Sequence, residues 1–116
     1  MKQRTNSDCG IVAVAVVTDR SYNSVRTTFG SCRDGMAPHE LEWLLTELGF
    51  VAHRVRVRKK NQTLEEWITT HCTGRYIVST GSTIYSHAVA VVDGTAMNAR
   101  LSWYVYHVWK ITCPND

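Results

Sequence analysis

Seven consecutive apolar residues, Ile11 to Val17, follow Asp8-Cys9-Gly10 near the start of the chain. A segment that is apolar on every side must be buried on every side. The rest of the chain therefore has to cover it from all directions, which puts it at the centre of the fold. Asp8 suits the N-cap of a helix beginning there, although the β-branched residues of the run also suit a strand. The run is far short of the about 20 apolar residues that cross a bilayer. Its flanks are too polar for a secretory signal, so a cytoplasmic protein without a membrane-spanning segment is expected.

The length of 116 residues suits one domain spanning 1–116. Hydrophobic residues at 44% and charged residues at 20% exclude wholesale disorder. A net charge of +3 does not demand a nucleic-acid partner.

The first half of the chain reads as helical and the second half mostly as strands. Ser21 to Phe29 is a short helix that Ser21 can cap, with Tyr22, Val25 and Phe29 on one face. Pro38 suits the first turn of a third helix, in which Leu41, Leu44, Leu45 and Leu48 form a stripe and Gly49 ends the run. Phe50 to Val57 alternates like a half-buried strand, and Leu64 to Cys72 reads as a short helix. Strands are expected at Arg75–Ser79, Thr83–Val92, Thr95–Arg100 and Ser102–Thr112, with a two-residue hairpin turn at Asp93-Gly94. The sum is α+β, a helical N-terminal lobe beside an antiparallel sheet. Trp43, Trp67, Trp103 and Trp109 read as core residues, with a groove lining as the alternative.

Cys9, Cys32, Cys72 and Cys113 are irregularly spaced and contain no CxxC pair. That pattern supports neither a zinc site nor a disulfide framework. Cys72 and Cys113 read as small buried thiols, and Cys32, beside Arg33, as a loop thiol. Cys9 differs because a helix N-terminus carries partial positive charge and unpaired N–H groups, both of which favour a thiolate. Gly10 admits close approach of a substrate to the backbone.

A cysteine nucleophile needs a base. His87 opens the apolar run that ends at Val92. With a two-residue turn at Asp93-Gly94, Val92 pairs with Thr95, Val89 with Asn98 and His87 with Arg100. His87, Val89, Asn98 and Arg100 then share a face. Asn98 lies diagonal to His87, about 7–8 Å away between backbones, where its side chain can orient the imidazole. Gln3, together with the Cys9 N–H, can supply two donors to one oxygen. Taken singly, each residue has an ordinary reading: a capping cysteine, a strand-end histidine, a solvated glutamine.

Taken in order, the motifs are Gln3 ahead of Asp8-Cys9-Gly10, the small-residue helix, Gly35 to Leu48, Gly74-Arg75-Tyr76-Ile77-Val78, and Ser86-His87 through Asp93-Gly94. Together they resemble the papain-like cysteine peptidases, most nearly the leader-cleaving peptidases of bacteriocin exporters. Small stand-alone relatives of that group occur in bacteria and their phages. The resemblance covers nearly the whole chain. It implies a papain-like fold with the nucleophile helix packed against the sheet. It also implies Cys9 as nucleophile, His87 as general base and Gln3 in the oxyanion hole. The exporter peptidases carry an acidic residue as the orienting member. Asn98 is the best match here, and Asp93, in the turn, is the second choice. The implied activity is hydrolysis of a peptide or isopeptide bond in a peptide or protein substrate, through a thioester and with no cofactor or metal.

Two other readings stand beside this one. The chain can be a catalytically silent papain-like fold that binds a partner protein. Alternatively, Arg54, Arg56, Arg58, Lys59 and Lys60 form a basic stripe of the kind that contacts nucleic-acid phosphates, although basic residues also guard exposed strand edges.

Overall fold

The computed structural model describes residues 9–30, 38–57, 61–81, 86–97 and 99–113. The order of elements is α1 (Cys9–Thr18), α2 (Tyr22–Phe29), α3 (Pro38–Glu47), β1 (Val51–Val55), α4 (Leu64–Thr70), β2 (Arg75–Gly81), β3 (Ser86–Val92), β4 (Thr95–Ala96) and β5 (Val105–Thr112). The fold is α+β. Its five strands form one antiparallel sheet in the order β1-β5-β2-β3-β4.

The apolar run forms a helix, and the helix is central. Ile11, Val14 and Val17 are fully buried, with Val12, Ala13 and Ala15 nearly so. A helix settles what the β-branched residues left open, because it presents most of its circumference for cover by the sheet, α2 and α3; Val16 alone of the run is half-buried. Arg75, at the start of β2, donates to the Val17 carbonyl at 2.7 Å and ties the C-terminal end of α1 to the sheet. Asp8, the expected N-cap, lies outside the described residues.

The two neighbouring helices carry local signals in full. Ser21 caps α2, its hydroxyl accepting from the Ser24 N–H at 3.1 Å. Past α3, Gly49 takes φ +87°. Its N–H donates to Thr46 O (3.0 Å) and the Phe50 N–H donates to Leu45 O (2.9 Å), the paired bonds of a Schellman end.

The sheet has a core on each face. Ile77, Ala90, Trp109 and Ile111 join α1, α2 and α3 on one side; Tyr76, Val78, Val89, Val91, Val105 and Val108 join Leu64 and Trp67 of α4 on the other. Side chains alternate along β2 and β3, as a strand requires. On β5, Val105 and Val108 share a face although three residues apart. A bulge opposite Ser79/Thr80 absorbs the extra residue.

Several expectations need correction. The strand expected over Thr95–Arg100 is only Thr95–Ala96, and the last strand begins at Val105 rather than Ser102. The cause is α4. Its Leu64 and Glu65 N–H groups donate to Trp103 O (2.8 Å) and Leu101 O (3.0 Å), which draws 101–103 out of the sheet as a turn. The pairing of His87 with Arg100 is accordingly absent, and the Arg100 carbonyl accepts from the Trp103 N–H instead. Helix α4 stops at Thr70, two residues early; Cys72 is exposed and Cys113, just past β5, is half-buried, against the expectation of buried thiols. Trp43 is also not core; it lies off the leucine stripe of α3 and is 48% exposed. No helix among the described residues is long and apolar enough to cross a membrane.

Candidate functional site

Cys9 begins α1, and α1 packs along β3. His87 is the second residue of β3. The two come together at one end of the helix–sheet interface, in a small cleft open to solvent. The cleft's other walls are Val12, Ala13, Val16, Ala88, Ala90 and Met97. Cys9, Val12, Ala13 and Val16 are spaced i, i+3, i+4 and i+7, so one helical face carries both the thiol and the apolar wall. That spacing is present in the sequence, but the uniform apolarity of the run hides it. Among the described residues that line the cleft, Cys9 and His87 are the ionisable ones.

The Cys9 thiol is held below its usual pKa. Burial on its own raises it. The hydrogen bond to the His87 ring, the Ala88 N–H, the positive charge on His87 and the Gly10 N–H together outweigh burial. The Gly10 contribution is the helix N-terminus at work, since its N–H has no carbonyl acceptor one turn earlier within the helix.

His87 is held on two sides. Thr80 is its Cα partner on β2, is fully buried, and donates its hydroxyl to the His87 carbonyl at 3.3 Å. Trp103 meets the imidazole edge to face, with centroids 5.5 Å apart and planes at 77°. No pattern in the sequence pairs either residue with His87. Thr80 depends on the β2–β3 register, and Trp103 on the turn that α4 pulls out of the sheet.

Asp93 stands apart from this site. It occupies the tight turn with φ +48°, and Oδ1 accepts from the Gly74 N–H at 3.0 Å. Six residue steps along β3 and into the turn separate it from His87, about 20 Å at 3.3 Å per residue. It therefore cannot orient the imidazole. Gln3 and Asn98 lie outside the described residues, as does Cys32. Of the basic stripe, Arg54 pairs with Glu42 at 3.1 Å and sits over the Trp109 ring at 5.7 Å, while Arg56 is exposed past the end of β1. Arg58, Lys59 and Lys60 lie outside the described residues. Among the described residues no cluster of His, Cys, Asp or Glu has the makings of a metal site.

No known protein-family pattern matches the chain, and no curated protein matches it.

Proposed function

We propose that the protein is a papain-like cysteine peptidase that hydrolyses a peptide or isopeptide bond, with Cys9 as nucleophile and His87 as general acid–base. The observation that carries the reading is the hydrogen-bonded Cys9–His87 pair at the mouth of an open cleft, with the thiol's ionised form favoured. A buried structural cysteine has no need of a histidine partner. The helix-against-antiparallel-sheet architecture agrees with a papain-like chain, and the order of motifs supports it further.

The thiolate sulfur attacks the substrate carbonyl carbon, forming a C–S bond and pushing the carbonyl electron pair onto oxygen. The Cys9 N–H and the Gln3 amide are assigned to that oxyanion. Its collapse breaks the C–N bond, and protonated His87 gives its proton to the departing amine. Neutral His87 then takes a proton from water, whose oxygen attacks the thioester. Collapse of this second intermediate releases the carboxylic acid and returns the sulfur as thiolate beside protonated His87. Asn98 is assigned to orient the ring; Asp93 is too distant for that part.

The test is iodoacetamide labelling of each cysteine against pH, read by mass spectrometry in wild type and His87→Ala. Cys9 is expected to react fastest at pH 6, although Cys72 is the more exposed, and His87→Ala removes that advantage. An inert Cys9 in the folded protein overturns the peptidase reading and leaves a papain-shaped binding protein.

A further inference from the structure

The tight turn at Asp93-Gly94 decides which residues of β3 turn their backbone groups toward β4. The Met97 N–H donates to Ala90 O at 3.0 Å, and the Asp93 N–H donates to Gly74 O at 2.9 Å. Backbone groups alternate sides along a strand. Ala88, Ala90 and Val92 therefore face β4, while His87, Val89 and Val91 face β2. Strand β4 ends at Ala96, and the last bond from that side reaches Ala90. Among the described residues, no strand pairs with the next rung, at Ala88.

A main-chain N–H beside an apolar cleft is costly to leave unpaired. At this rung the acceptor is a sulfur. Cys9 and Ala88 line the same cleft, and the Ala88 N–H donates to the Cys9 Sγ. The donor is fixed by the β2–β3 ladder on the strand's other side, so it needs no reorganisation when charge arrives.

We propose that Ala88 is a catalytic residue acting through its backbone: β4 stops short so that the Ala88 N–H is withheld from the sheet and holds the Cys9 thiolate. This rests on the reading of Cys9 and His87 as a reactive pair. It assigns the sulfur a partner on the sheet that never titrates, opposite the Gly10 N–H of its own helix. His87 can then give its proton to the leaving amine while the Ala88 N–H continues to hold the sulfur in line. The bond weakens as the sulfur's charge passes to the carbonyl oxygen, and it strengthens again when deacylation returns the thiolate.

The experiment follows the Ala88 amide proton by NMR in the 15N-labelled full chain through a pH titration, beside the thiolate absorbance of Cys9. The Ala88 proton is expected to move downfield with the Cys9 midpoint in wild type and to stay still in Cys9→Ala. A second variant, Ala88→lactic acid, exchanges the N–H for an ester oxygen; the chain can be assembled by ligation at Cys72. It is expected to raise the Cys9 midpoint and slow alkylation at pH 6 about tenfold, the loss of one charge-assisted hydrogen bond. A lowered Cys9 midpoint with a stationary Ala88 proton overturns this inference and leaves the peptidase reading intact. A Cys9 midpoint in the ordinary thiol range overturns both.

Discussion

Thr80 and Thr18 are the two buried polar side chains among the described residues, and they are spent differently. Thr18 returns its hydroxyl to Val14 O within its own helix, at 2.7 Å. Thr80 spends its hydroxyl across strands, on the residue that bears the imidazole. Thr80→Val keeps the shape and removes the donor. The expected loss of stability is about 0.5–1.5 kcal/mol, the worth of one neutral hydrogen bond. The expected chemical effect is a several-fold slower alkylation of Cys9 near pH 6, with Thr80→Ser restoring most of the rate. Equal rates in the Val and Ser variants would show that the His87 backbone is held by the ladder alone. Both pH profiles follow from the thiol's lowered pKa: thiolate persists at pH values where an ordinary thiol is protonated, and it is lost as pH falls through the lowered value.

The elements show which parts of the sequence speak for themselves. Helix α3 announces both ends through Pro38 and Gly49, and α2 announces its start through Ser21. Gly49 is testable on its own. Space is open around a Cβ at this position, so Gly49→Ala should cost only the left-handed backbone, about 1–2 kcal/mol by urea unfolding. The Asp93-Gly94 turn was equally legible, since both residues take positive φ and set the β3–β4 register. The length of β4 was not. It is decided by the N–H groups of α4, some thirty residues earlier, competing for the 101–103 carbonyls. The candidate site divides along the same line. Cys9 and His87 stand out as a helix-start thiol and a strand-start imidazole, both local features. The Ala88 rung, the Thr80 hydroxyl and the Trp103 ring exist only once strands are in register.

Over the whole molecule the sheet is the shared wall of two cores, and the cleft sits on the wall's α1 side. Leu64 is fully buried on the opposite side. Leu64→Ala is expected to cost about 2–5 kcal/mol and to unfold the chain in one transition, with circular dichroism and tryptophan fluorescence coincident. Two separated transitions would mean that α4 and its core melt independently of the site. The sheet also has two edges, and open edges recruit strands from other chains. Strand β1 guards one edge with His53, Arg54 and neighbouring Arg56, all exposed. The other edge is the two-residue β4, and beyond its end we propose that the Ala88 rung of β3 is closed by the Cys9 sulfur. The customary inactive control, Cys9→Ala, therefore strips a cap from an apolar edge as well as removing a nucleophile. It should self-associate more readily than Cys9→Ser, whose hydroxyl still accepts the Ala88 N–H, and light scattering at matched concentrations would distinguish them. For this chain the serine variant is the safer trap with which to capture a substrate.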